Sequence, residues 1–435
     1  MRSTTFLTCF AIALPHLAFA QAGAGSSEPA AEEDRGRQGV EIVGHVIKPI
    51  PIEWSKERMA QLALPDGFDI GVFARDLENP RMIRVADDGT VYVTQRGPGN
   101  VLMLRDTDGD GTADAEQVVA EREGMHGIEI DGDTVYLMTV NEVFRTERQE
   151  DGTLGELETI ADGFPEGGQH PNRMIVKGPD GNLFISVGST CNACGETNEE
   201  NATIVSMAPD GSAREIFASG LRNTIGYGFE PSSGQLYGFD HGIDWLGDNE
   251  QHEEFNRIEQ GARYGWPYVY ALSRFNPQDT PPDSSFSEYA AGSEEPIGLH
   301  VPHAAPMQMT FYTGDAFPED YHGDAFVAFR GSWNRQPPSG YEVMRLDFED
   351  GEPVAMEPFL TGFLMQDEAS PTGWGNMGRL AGLAQGPNGA LYLSDDTGGV
   401  IYRIHYAGDD APDRPDPQFT NADTGELNLG LVSAN

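Results

Sequence analysis

Cysteine is scarce in this sequence: three in 435 residues, one of them Cys9 near the start. So few thiols exclude a disulfide-dense scaffold and a four-cysteine zinc site, which needs two pairs. The later pair, Cys191 and Cys194, is followed by Gly195 rather than His, which excludes c-type haem attachment. In an oxidising compartment so close a pair reads as a short disulfide. Positive charge is scarce too. With 27 Lys and Arg against 70 Asp and Glu the formal charge is -43, which repels nucleic acid and anionic membrane surfaces. The excess fits either a solvated acidic surface of the halophilic kind or steering of a basic partner such as a soluble cytochrome c. Beyond the first twenty residues no segment approaches the ~20 apolar residues that span a bilayer, so no membrane insertion is expected.

Those first residues run from Arg2 through the apolar stretch Phe6 to Leu17 and end Ala18-Phe19-Ala20, the small-x-small pattern of a cleaved signal peptide. The expected organisation is a signal at 1–20, a flexible leader and arm at 21–60, a single domain at 61–408 and an acidic tail at 409–435. Its location would be periplasmic or secreted.

What is abundant is a repeat. A glycine turn followed by a β-rich run recurs at Gly89, Gly132, Gly181, Gly234, Gly323 and Gly389, with early copies roughly 45–50 residues apart, the length of a four-stranded blade. A second apolar run precedes each copy, beginning near Arg81, His126, Arg173, Thr224, Met307 and Leu380. The pattern predicts an all-β, six-bladed β-propeller. The strand at Phe68 has no blade of its own, and the last run, from Val400, has no fourth strand; pairing them would close the ring and remove two exposed edges.

If each inner strand runs down and its partner up, the residues flanking the pair meet on one rim. Arg81, His126, His170, Arg222, Asn223 and Arg379 precede the inner strands, while Gln95, Arg96, Ser189, Asp240, His241, Arg330, Asp395 and Asp396 end their partners. In an acidic chain, such a gathering of arginine and histidine at one mouth points to an anion site. The insertions at 190–201, 242–256 and 331–340 should crowd the same rim.

The motifs Gln169-His170-Pro171-Asn172-Arg173, Gly188 to Cys194, Gly220-Leu221-Arg222-Asn223, Asp244-Trp245-Leu246-Gly247-Asp248, Tyr264-Gly265-Trp266-Pro267 and Gly331-Ser332-Trp333-Asn334-Arg335 follow in unbroken order. With them the chain resembles the soluble pyrroloquinoline quinone-dependent sugar dehydrogenases, in particular the sorbosone and pyranose dehydrogenase branch. That resemblance implies oxidation of an aldose or related sugar aldehyde, with electrons passed to an external acceptor. It assigns His170 as general base for the anomeric hydroxyl. Arg222 and Asn223 would hold the quinone, and Arg335 and Arg379 its carboxylates, with Gln95 in the same cofactor-facing set. The backbone carbonyls of Gly242 and Ile243 would ligate calcium. Two departures from the family pattern are Phe311-Tyr312-Thr313-Gly314, without a lysine, and Arg330 where histidine is frequent.

Asp106, Asp108, Asp110 and Asp114, with Gly111 at the sixth position, have the spacing of a calcium loop, but position twelve is Gln117 rather than Glu. The segment reads either as a second calcium site or as a polar hairpin on the opposite face. Two rival functions are a calcium-dependent propeller lactonase or hydrolase, which would need acidic and amide side chains converging on the axis, and a non-catalytic recognition propeller, which would expose aromatic residues.

Overall fold

The computed structural model describes residues 42–420 and 430–432. The expected signal peptide, the first half of the leader and residues 421–429 and 433–435 of the acidic tail lie outside the described residues. Each apolar run ahead of a repeat forms a strand: Pro80–Val85, Gly127–Asp131, Ile175–Lys177, Thr224–Phe229, Pro306–Phe311 and Leu380–Gln385. Each pairs antiparallel with the strand after its glycine turn, from Val91–Gln95 in the first sheet to Leu391–Asp395 in the last. The turns need glycine because the backbone there takes positive φ, 83° at Gly89 and 87° at Gly181, a conformation that costs other residues energy.

Six antiparallel sheets of four or five strands result, and among the described residues they account for almost all regular structure. Inner strands of neighbouring sheets lie against one another, the third sheet meeting the fourth through Leu183–Val187, and Leu380–Gln385 packs back against Pro80–Val85, the arrangement of a propeller. Alternating side chains fill the spaces between sheets, with Met82, Ile128, Ile225, Leu383 and Tyr402 all buried. A polar tie joins three sheets where the ends of the propeller meet: buried Gln308 accepts from the amides of Ile83 (2.9 Å) and Leu383 (3.2 Å) and donates to the Ile83 carbonyl.

Phe68–Ala74 pairs antiparallel with Val400–Tyr406, from Phe68 opposite Tyr406 to Ala74 opposite Ile401, with a one-residue shift between Val72 and Ala74. The first strand of the propeller and the last therefore share a sheet. Residues ahead of it lie on the domain: the Asp248 amide donates to the Val43 carbonyl, and Ile50–Pro51 pairs with Trp374–Asn376. Behind the propeller, Arg414 reaches Asp69 at 2.6 Å, and Gly430–Leu431 pairs with Gly298–His300.

Candidate active site

The connections between second and third strands of the third, fourth and fifth sheets are long and rise on one rim. Around the propeller axis they enclose a cavity of about 330 Å³. Five arginines line it, Arg81, Arg96, Arg222, Arg330 and Arg379, together with His170, His241 and His303. For a chain with 27 basic residues in all, this is a strong concentration.

Two of these arginines are placed by the same device. Asp240, at the end of a second strand, accepts from the amides of Arg222 and Asn223, each at 2.7 Å. Asp395, at the equivalent position of the last sheet, accepts from the Arg379 amide at 2.8 Å. Burial pushes both carboxyls up to about 6 against the pull of those amides. Gln95 occupies the matching position in the first sheet and donates to the Glu78 carbonyl at 2.8 Å. Its amide clamps the chain ahead of the inner strand and does not line the cavity, where its neighbour Arg96 stands instead.

The Arg222 guanidinium is held by Asn192, whose carbonyl accepts from Nε at 2.9 Å and whose Oδ1 accepts from Nη2 at 2.8 Å, and by Asp244 Oδ2 at 3.0 Å. Arg81 and Arg330 converge on Asp396, which is fully buried. Burial alone would raise that carboxyl, but the two guanidiniums hold it well below the usual range. Arg379 donates to the carbonyls of Arg330 and Gly331. Arg335 is different. Buried completely, it donates to the carbonyls of Asp248 (2.8 Å) and Pro337 (2.5 Å), so it secures the rim loops, while Trp333 and Asn334 beside it face the cavity.

His170 presents its ring to the cavity from a loop whose backbone is fixed by buried Arg173, which donates to the His170 carbonyl at 2.9 Å. Nδ1 lies 3.0 Å from the Ser189 carbonyl and 2.8 Å from its hydroxyl oxygen. A carbonyl can only accept, so Nδ1 carries the proton and Nε2 is left as the basic nitrogen. Burial first, and then the Arg222 charge, push the imidazole down to about 2. The close approach depends on Gly188, where a Cβ would sit 2.6 Å from that of His170.

Gly242 lines the cavity beside Asp244 and Glu253. Both Glu253 oxygens are engaged, one with the Gly242 amide and one with that of Ala305, each at 2.9 Å, and burial pushes the carboxyl up to about 8. Ile243 is buried behind this wall and does not line it. Asn223 Oδ1 faces the site buried and without a hydrogen-bond partner, the mark of an acceptor awaiting a ligand. Cys191 and Cys194 form a disulfide, so no thiolate is on offer there.

In the hairpin between Asn100–Arg105 and Ala115–Glu121, the carboxylates of Asp106, Asp108 and Asp110 come within metal-sharing distance. Asp114 does not join them. It accepts instead from the Thr107 hydroxyl at 2.6 Å and the Thr107 amide at 3.1 Å.

The model of the family described as TrAA12-like matches residues 62–407. The chain belongs to the TrAA12-like family. This TrAA12-like chain is similar to a pyrroloquinoline quinone-dependent pyranose dehydrogenase of Coprinopsis cinerea, with 22% identity over 410 residues, 79% of this chain and 54% of that protein. It thus spans about half the length of that relative. Among solved structures, the calcium structure of the Trichoderma reesei carbohydrate-active enzyme of family AA12 covers 80% of the chain and 97% of its own, at TM-score 0.69 and 21% identity. The holo form of the quinone domain of the Coprinopsis cinerea pyranose dehydrogenase covers 82% and 99%, at TM-score 0.66 and 22% identity. These likenesses extend the propeller of the TrAA12-like chain to proteins of known structure.

Five residues that matter were not singled out as cofactor or metal residues from sequence: Asn192, Asp244, Asp396, His241 and Glu253. Asp396 and His241 had one readable signal, their place at the end of a second strand.

Proposed function

We propose that this chain is a quinoprotein sugar dehydrogenase, oxidising an aldose or related sugar at the arginine-lined cavity and passing electrons to an external acceptor. The observation that carries the reading is charge. Five guanidiniums face the cavity, and among the described residues only Asp244 and Asp396 pair with them, leaving an excess that suits a ligand with three carboxylates. Pyrroloquinoline quinone is such a ligand, and it supplies the two-electron acceptor when bound. Arg222, Arg379 and the unpartnered Asn223 Oδ1 would hold it. The backbone carbonyl of Gly242, which lines the cavity, would ligate a hard cation such as calcium. His170 Nε2 would take the proton from the anomeric hydroxyl, since its tautomer leaves that nitrogen free to accept. On the same reading the pairing of residues 68–74 with 400–406 is the clasp of a six-bladed ring, and the protein is exported by its leader. The lactonase alternative fits less well, because the two acidic groups nearest the arginines are already engaged as their counter-ions.

The test is reconstitution of the apoprotein with quinone and calcium, then an aldose panel with an artificial acceptor dye. Sugar-dependent dye reduction is expected, with His170→Ala lowering kcat by about 10²–10⁴-fold while quinone remains bound. Dye reduction unchanged in His170→Ala would rule out the base.

A further inference from the structure

The Cys191–Cys194 disulfide closes a four-residue ring, and hydrogen bonds lead from it to both groups assigned above. Asn192, inside the ring, is bound to the Arg222 guanidinium through its backbone carbonyl and through Oδ1. The same Oδ1 accepts from the Asp244 amide at 2.8 Å, so one side chain fixes Arg222 and the loop that carries its counter-ion. The Cys191 carbonyl accepts from the Ser189 hydroxyl at 2.8 Å. With its proton so committed, that hydroxyl presents a lone pair to His170 Nδ1, a second and shorter contact beside that to the Ser189 carbonyl. The ring is anchored on its outer side by apolar contact of Cys191 and Ala193 with the cluster of Ile243, Leu246 and Trp266. Glu196 closes its base, accepting from the Thr190 amide and hydroxyl.

We propose that the disulfide ring positions the two halves of the site separately: Asn192 sets the anion-binding arginine, and Ser189, held by the Cys191 carbonyl, orients the base. This rests on the quinoprotein reading above. Neither residue touches substrate; both are positioning residues. A ring that merely staples the fold would affect stability, binding and turnover together, whereas this arrangement divides them.

The experiment measures quinone affinity of the apoprotein by absorbance titration with calcium present, kcat at saturating quinone, and melting temperature. Asn192→Ala is expected to weaken quinone binding about tenfold with kcat within about threefold, the loss of one charge-assisted bond. Ser189→Ala is expected to show the reverse, about a tenfold fall in kcat with affinity within about twofold, and Ser189→Thr, which keeps the hydroxyl, to restore turnover. The double variant Cys191→Ser/Cys194→Ser should lose both. Parallel loss of affinity, kcat and melting temperature in both single variants, or wild-type behaviour in both, would overturn the proposal. Exchange of the Asp244 amide hydrogen gives a readout that needs no quinone. It should quicken in Asn192→Ala and in the double cysteine variant, and unchanged protection would count against the ring. Wild-type protein that binds no quinone would refute the quinoprotein reading, and the exchange result would still decide the positioning role.

Discussion

Asp396 is the shared counter-ion of two of the cavity's arginines. Its side chain is fully buried between Arg81 and Arg330, and removing one partner of a buried pair leaves the others uncompensated. Asp396→Asn should therefore destabilise the protein by about 3–5 kcal/mol, read from urea unfolding. The pH dependence has a definite sign. The unfolded carboxyl titrates near 3.8 and the folded one far lower, so this stabilisation is complete above about pH 4 and is lost as pH falls below it. The acid arm of the stability curve should be shallower in the variant. Rim position was legible at this scale because a strand's end can be read from the repeat. The direction of a side chain was not. Gln95 and Arg335 lie at the rim as expected, yet one turns to the Glu78 carbonyl and the other to Asp248 and Pro337. Asn192 was hidden for the same reason: its importance comes from partners 30 and 52 residues away.

Among the elements, the strand Phe68–Ala74 ties the start of the described propeller to its last strand. Phe68 is buried and meets four rings, those of Phe317, Tyr321, Phe359 and Tyr406, with centroids 4.8–5.2 Å away. It joins the strand to the fifth sheet as well as to its own. Phe68→Ala should cost about 3–5 kcal/mol in denaturant unfolding, the cost of emptying a packed aromatic site. A loss under about 1 kcal/mol would mean that this strand contributes little to holding the propeller together. The six inner strands and their partners could be read from sequence, since each pairs an apolar run with a turn glycine. The pieces that complete the fourth sheet could not. Gly298–His300 and Gly430–Leu431 are three and two residues long, too short to display a strand's alternation. The helix Phe286–Ala291, capped by Ser285 and Glu288, lies inside an insertion that the repeat leaves blank.

Over the whole molecule, a net charge of -43 surrounds a mouth lined with five arginines. Long-range repulsion of anions and short-range capture of one particular anion are compatible only when the capturing groups are preorganised, as buried Arg222 and half-buried Arg379, each held by backbone carbonyls, are. Direct titration of the apoprotein with pyrroloquinoline quinone, calcium present, tests this most simply. One quinone should bind per chain with Kd of ~1 μM or tighter, weakened about 10–100-fold by Arg222→Ala and by Arg379→Ala. No saturable binding, or affinity unchanged when both arginines are replaced, would contradict it.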